Sequence, residues 1–110
     1  MAPEIIKGEK YNEKADIWSI GIISYMLLTG RVPYNTNPPN KDRLKQMIIS
    51  KDPDFTKPYI QMLSKPCQNF IKKCFERKVD KRASAGDLLR DPWIVEQTAM
   101  RSSRQQVDLK

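Results

Sequence analysis

The stretch Lys14–Thr29, reading KADIWSIGIISYMLLT, constrains this chain more than any other part of it. Its apolar residues Ile17, Trp18, Ile20, Ile22, Ile23, Tyr25, Met26, Leu27 and Leu28 fall on every side of a helical wheel. That pattern predicts a helix buried all round, with neighbours on each face, instead of a surface amphipath. Asn12 is placed to cap it, Gly30 stands in the usual stop position, and Pro33 follows just beyond. Ser19, Gly21 and Ser24 interrupt the apolar run, which is too short to span a bilayer. With no basic-then-apolar leader ahead of it, the chain is expected to be soluble, with no membrane partner.

A buried central helix needs a shell, and the remaining patterns are helical too. Arg31 to Asn40 is rich in proline and asparagine and reads as a loop. Lys41 to Ser50 carries Leu44, Met47 and Ile48 at helical spacing, with Asn40 as cap. Lys51 to Leu63, broken by Pro53 and Pro58, reads as an extended connector with one helical turn near its end. Ser64 caps a further helix whose Phe70, Ile71, Cys74 and Phe75 form one apolar stripe. Ser84 and Asp87 have the spacing of a capping box that would start a helix over Leu88 and Leu89, ended by Asp91 and Pro92. Trp93, Ile94 and Val95 would dock against the body, and no strand or internal repeat is expected. The fold class is therefore all-α.

At 110 residues the chain allows one domain, which would bury roughly 60% of its unfolded surface. Apolar residues at 39% and charged residues at 30% describe a globular chain with a thin core. The net charge of +7 reads as a solvated basic surface. No recognition-helix pattern, zinc spacing or aromatic-plus-basic motif accompanies it, so no nucleic-acid partner is expected. Cys67 and Cys74, two helical turns apart and so roughly 10 Å along an axis, are too distant for a disulfide and read as reduced thiols of an intracellular, cytoplasmic protein. The sequence has no histidine, which excludes Ser-His-Asp and Cys-His nucleophiles and the usual zinc sites.

Three motifs in order identify a family. Ala2, Pro3 and Glu4 resemble the Ala-Pro-Glu of eukaryotic protein kinases, and Asp16, Trp18 and Gly21 match the Asp-x-Trp-x-x-Gly that opens the central helix of the kinase C-terminal lobe. Arg82, within KVDKRASAGDLLRDPWI, matches the arginine that kinases place before their last helix, and Pro92, Trp93 and Ile94 close the lobe. The resemblance covers about residues 1–95, leaving 96–110 as a tail or the start of a following segment. Ala15 to Tyr34 is most similar to the calcium/calmodulin-dependent and calcium-dependent serine/threonine kinases. Met1 stands where many kinases carry an internal methionine. Val32, Lys78, Val79 and Asp91 depart from the family pattern at peripheral positions, and Met26 stands where cyclic-nucleotide-dependent kinases carry a substrate-reading glutamate.

The resemblance implies structural roles. Glu4 and Arg82 would form a buried ion pair tying the end of the activation segment to the base of the lobe; breaking such a pair costs about 3–5 kcal/mol. Two surface charges that never meet are the alternative from spacing alone. Asp16 would brace the catalytic loop by accepting its backbone N–H groups; without that loop it would be a buried acceptor lacking donors, at a cost on the order of 1–3 kcal/mol. A solvated carboxylate at a helix start is the alternative. Gly21 would permit close packing, and Trp18 and Trp93 would anchor the body.

No catalytic, cofactor-binding or metal-binding residue is assigned to this chain. The glycine-rich loop, strand lysine, catalytic aspartate and asparagine, and Asp-Phe-Gly that phosphoryl transfer requires are not among these residues. Gly8, Gly21, Gly30 and Gly86 are too scattered for a phosphate loop, and a connector and a helix cap account for Asp80, Asp87 and Asp91. The expectation is a helical portion of a kinase C-lobe, an incomplete domain from the Ala-Pro-Glu motif onward. ATP and magnesium would belong to the parent kinase, whose partners would be the missing N-terminal part of the domain and protein substrates, docked over residues 31–50. The isolated chain would be inactive and would self-associate through its uncovered central helix. The alternatives are a stand-alone helical interaction module, which would be a soluble monomer, and a pseudokinase remnant.

Overall fold

A computed structural model describes the backbone of residues 1–108 and the side chains of residues 1–100. Seven helices occur among the described residues: α1 (Pro3–Ile6), α2 (Lys14–Thr29), α3 (Lys41–Ser50), α4 (Pro58–Gln61), α5 (Lys65–Cys74), α6 (Ala85–Leu89) and α7 (Pro92–Asp108). No strand occurs among them, so the fold is all-α as the patterning requires.

The helix ends follow from local chemistry. Asn12 Oδ1 accepts from the Lys14 N–H at 2.9 Å, and Gly30, at φ 70°, donates its N–H to the Met26 carbonyl as α2 stops. Asn40 caps α3 through the Arg43 N–H and Ser64 caps α5 through the Cys67 N–H. Ser84 and Asp87 form the reciprocal capping box of α6, at 3.1 and 3.0 Å. The sequence patterning did not anticipate α1. There Pro3 stands in the first turn, where its missing N–H is harmless, and Gly8 closes the turn at φ 73°.

The core is the contact between α2 and α5, with α7 also packed on α5. Trp18 meets Phe75 edge to face at 5.0 Å, and Tyr25 adds edge contacts to Phe75, Phe55 and Tyr59 at 6.2–6.4 Å. Phe70 packs on Trp93 at 5.1 Å, which docks the start of α7. Ile60, Ile71 and Cys74 are wholly buried in the same core; each buried isoleucine of this kind contributes about 1.5–3 kcal/mol.

One expectation changes, and one segment gains a description. First, α2 is not covered on every face by these residues. Ala15, Ile17, Trp18, Gly21 and Tyr25 are buried, but Ile20, Ile23, Met26, Leu27 and Leu28 are exposed, Leu27 by 80%. The apolar residues outnumber the positions that α5 and the connector can reach. Second, residues 96–108, read as a tail or the start of a following segment, continue α7 as helix beyond the docked Trp93. Leu109 and Lys110 lie outside the described residues.

Candidate functional site

Glu4 and Arg82 meet although 78 positions separate them. Arg82 Nη1 donates to Glu4 Oε2 at 2.7 Å and Nη2 to Oε1 at 2.8 Å, a fork-to-fork pair with both side chains buried. A buried ion pair is tolerable only if every remaining donor is satisfied. Here it is: Nε donates to the Glu76 carbonyl at 2.7 Å, Nη1 also to the Lys14 carbonyl at 2.9 Å, and Nη2 also to the Arg77 carbonyl at 3.5 Å. All five guanidinium donors are thus used, and one side chain joins α1, the start of α2 and the segment after α5. These bonds, first of all that from Arg82, hold the Glu4 carboxyl below its ordinary value against the opposing effect of burial. The guanidinium also lies 5.3 Å from the centre of the Trp18 ring, a cation–π contact that fixes the indole from above.

Trp18 is fully buried, and its indole N–H has no acceptor among the described residues. At Gly21 α2 and α5 approach closely: an added Cβ would stand 2.7 Å from Cys74 Cβ and 3.3 Å from the Phe75 ring. Burial pushes the Cys74 thiol up to about 12, so it stays protonated and inert beside that contact. Asp16 differs from expectation. Its side chain is exposed, so the cost of a buried acceptor without donors does not arise. Asp16 heads the open stripe of α2, because Ile20, Ile23 and Leu27 follow it at helical spacing. Trp93 is half-buried at the start of α7, apart from the Glu4–Arg82 pair.

Two further charged clusters, around Arg77 and Asp91, hold segments to the body. Arg77 donates to the carbonyls of Ile48 and Ile49 at 2.6 and 2.8 Å, to the Lys51 carbonyl, and to Asp52 Oδ1 at 2.7 Å. It takes up the carbonyls that the end of α3 leaves without helical partners, and Tyr34 adds its hydroxyl to the Lys51 carbonyl at 2.7 Å. Burial raises the Tyr34 hydroxyl to about 12. Arg77 therefore positions the loop and helix over residues 31–50 against the body. Asp91, buried at the start of α7, pairs with Lys73 and accepts from the Trp93 N–H at 3.0 Å. A cap signal existed for Asp91 in the following proline; the 28 and 29 positions between Arg77 and its α3 partners left none.

Among the described residues no three His, Cys, Asp or Glu side chains converge on a point that could hold a metal ion. Asp80 is exposed on the connector, Asp87 caps α6, and Asp91 caps α7. Among the described residues, too, no helix is long and apolar enough to cross a membrane.

A helical body built on a central apolar helix, with a buried Glu–Arg pair fastening a short N-terminal helix to its base, defines the helical C-lobe of a protein kinase. Residues 1–94 match the family model for the protein kinase domain, and the chain belongs to that family. Its relatives are serine/threonine kinases. It is 34% identical over 96 residues to the calcium/calmodulin-dependent protein kinase type I of Schizosaccharomyces pombe, covering 87% of this chain and 28% of that protein. It is 41% identical over 97 residues to the serine/threonine-protein kinase pakG of Dictyostelium discoideum, covering 87% of this chain and 8% of that one. Among solved structures, the twitchin kinase region from C. elegans superposes with a TM-score of 0.78 at 28% identity, over 84% of this chain and 16% of that one. The chain thus spans well under a third of these relatives' lengths.

Proposed function

We propose that these residues work as the helical base of a serine/threonine protein kinase that transfers the γ-phosphate of ATP to protein substrates, and that they supply none of its catalytic groups. The observation that carries this reading is the fully satisfied Glu4–Arg82 pair, which clamps the Ala-Pro-Glu helix to the body. In such a kinase the clamp holds the end of the activation segment in register with the substrate. The open stripe of α2, headed by Asp16, is the surface that the N-terminal part of the domain covers, with Asp16 accepting backbone N–H groups of the catalytic loop. The α3 region, held by Arg77, serves as the substrate-docking face. ATP and magnesium are held by residues other than these, and the setting is intracellular and cytoplasmic. Residues 1–95 form the kinase part, and 96–110 lead out of it.

The test is the native protein in its own cells, detected and immunoprecipitated with an antibody against residues 96–110. The expected result is a species far above 12.8 kDa that phosphorylates a serine-containing substrate, with activity lost in Glu4→Gln. A species near 12.8 kDa without phosphoryl transfer would overturn it. The exposed α2 stripe favours a second reading in that event, a helical module that binds protein partners through that face.

A further inference from the structure

A cleft of about 540 Å³ opens between α1 and the connection from α5 to α6, lined by Lys7, Glu9, Lys10, Lys78, Asp80 and Lys81 among others. Buried Glu4, paired with Arg82 behind it, lies in its floor. Both Glu4 oxygens are consumed by Arg82, so the floor does not repel an incoming anion. Arg77 turns its guanidinium away toward α3, so it adds no free charge to the cleft. Lys7 stands 3.9 Å from Glu9, a loose exposed contact. The ammonium groups of Lys10, Lys78 and Lys81 have no acidic partner among the described residues. Lys14 Nζ reaches the Asp80 carbonyl at 3.4 Å, which brings a further cation to the same rim. Part of the chain's surplus of positive charge is thus gathered around one concave site.

We propose that this cleft docks an acidic peptide segment of a protein partner, whose carboxylates are taken by Lys10 on one wall and by Lys78 and Lys81 on the other. Two observations favour a peptide over a nucleic acid. The lining has no aromatic side chain on which a base could stack. Glu9 and Asp80 on the rim offer acceptors to the backbone N–H groups of a peptide, donors that a phosphate backbone does not have. The proposal stands whether or not these residues serve a phosphoryl-transferring domain, since it uses neither the α2 stripe nor the α3 face.

The test is fluorescence anisotropy of a labelled hexaglutamate peptide titrated with the full 110-residue chain. Saturable binding that weakens as salt rises is expected. The double variant Lys78→Glu/Lys81→Glu should weaken it about tenfold, the sum of several modest exposed charge contacts. Lys57→Glu/Lys65→Glu, at exposed positions outside the cleft lining and off α3, makes the same change in net charge and should alter binding by less than about threefold, because screening weakens charges outside the site. Should the connector variant lose helical content, Lys10→Glu on the opposite wall carries the test with the same sign. Absence of saturable binding, equal weakening by the Lys57→Glu/Lys65→Glu variant, or equally tight binding of a labelled oligothymidylate would each overturn the proposal.

Discussion

Replacing Arg82 with alanine should destabilise the fold by about 3–5 kcal/mol, because Glu4 would be left charged and unpaired where it is 3% exposed. A chain of 110 residues has on the order of 5–15 kcal/mol in all, so the variant should sit near its folding midpoint. The carbonyls of Lys14, Glu76 and Arg77 also lose their shared donor. Arg82→Lys should recover only part of the loss, since a single ammonium cannot present a planar five-donor fork to one carboxylate and three carbonyls. Glu4→Gln with Arg82→Met removes both charges and should cost about 2 kcal/mol less than the summed single changes. Urea unfolding followed by far-UV circular dichroism measures each value. The same pair sets a pH dependence: the Glu4 carboxyl is held below its ordinary value of 4.5, so its contribution is complete above that pH and is lost as the pH falls toward the folded value. Glu4→Gln should abolish that difference. A loss of less than about 1 kcal/mol in Arg82→Ala, the cost expected of an exposed pair, would refute the reasoning.

Gly21→Ala should destabilise by about 1–3 kcal/mol despite alanine's better helix propensity, since Cys74 Cβ, 2.7 Å away, belongs to a rigid backbone. Thermal melting decides, and a variant that melts at or above the parent would contradict the close approach. Arg77→Ala should cost about 1.5–3 kcal/mol of local stability, read as faster hydrogen exchange along α3 while α5 is unchanged; equal effects on both helices would contradict a local clip. Leu27→Lys, at a position 80% exposed, should leave stability within about 0.5 kcal/mol and reduce self-association in sedimentation velocity, whereas a strong loss of stability would mean that the α2 stripe packs internally.

What the sequence made legible is what local chemistry decides. Asn40, Ser64 and Ser84 each place an oxygen where the next turn has an unsatisfied N–H, and each begins a helix at the expected residue. Gly30 ends α2 because a left-handed residue is needed there. The Glu4–Arg82 meeting was legible only through the kinase motifs; spacing alone leaves two charges far apart in the chain. Arg77 was illegible by either route, since an exposed-looking arginine in a connector carries no pattern that points to carbonyls on another helix. The short α1 was missed although its proline and glycine stood in the right places, because four residues are too few for a periodicity to register.

The case of Asp16 separates a residue's chemistry from its setting. Periodicity says that α2 is apolar all round and so places any ionised side chain on it under a desolvation cost. That cost depends on what stands against the face, and the faces of α2 are not equivalent. Trp18, Gly21 and Tyr25 point at α5 and the aromatic cluster, where a polar group would be stranded. Asp16 points with Ile20, Ile23 and Leu27 toward solvent, so water meets the charge and the cost passes to the exposed isoleucine and leucine side chains. Covering this stripe would reverse both terms at once. The apolar residues would gain about 25 cal/mol for each Å² buried, while Asp16 would then require donors. A partner for this face must therefore bring an apolar surface with backbone N–H groups at one end, and an apolar helix lacking such donors should bind it less well.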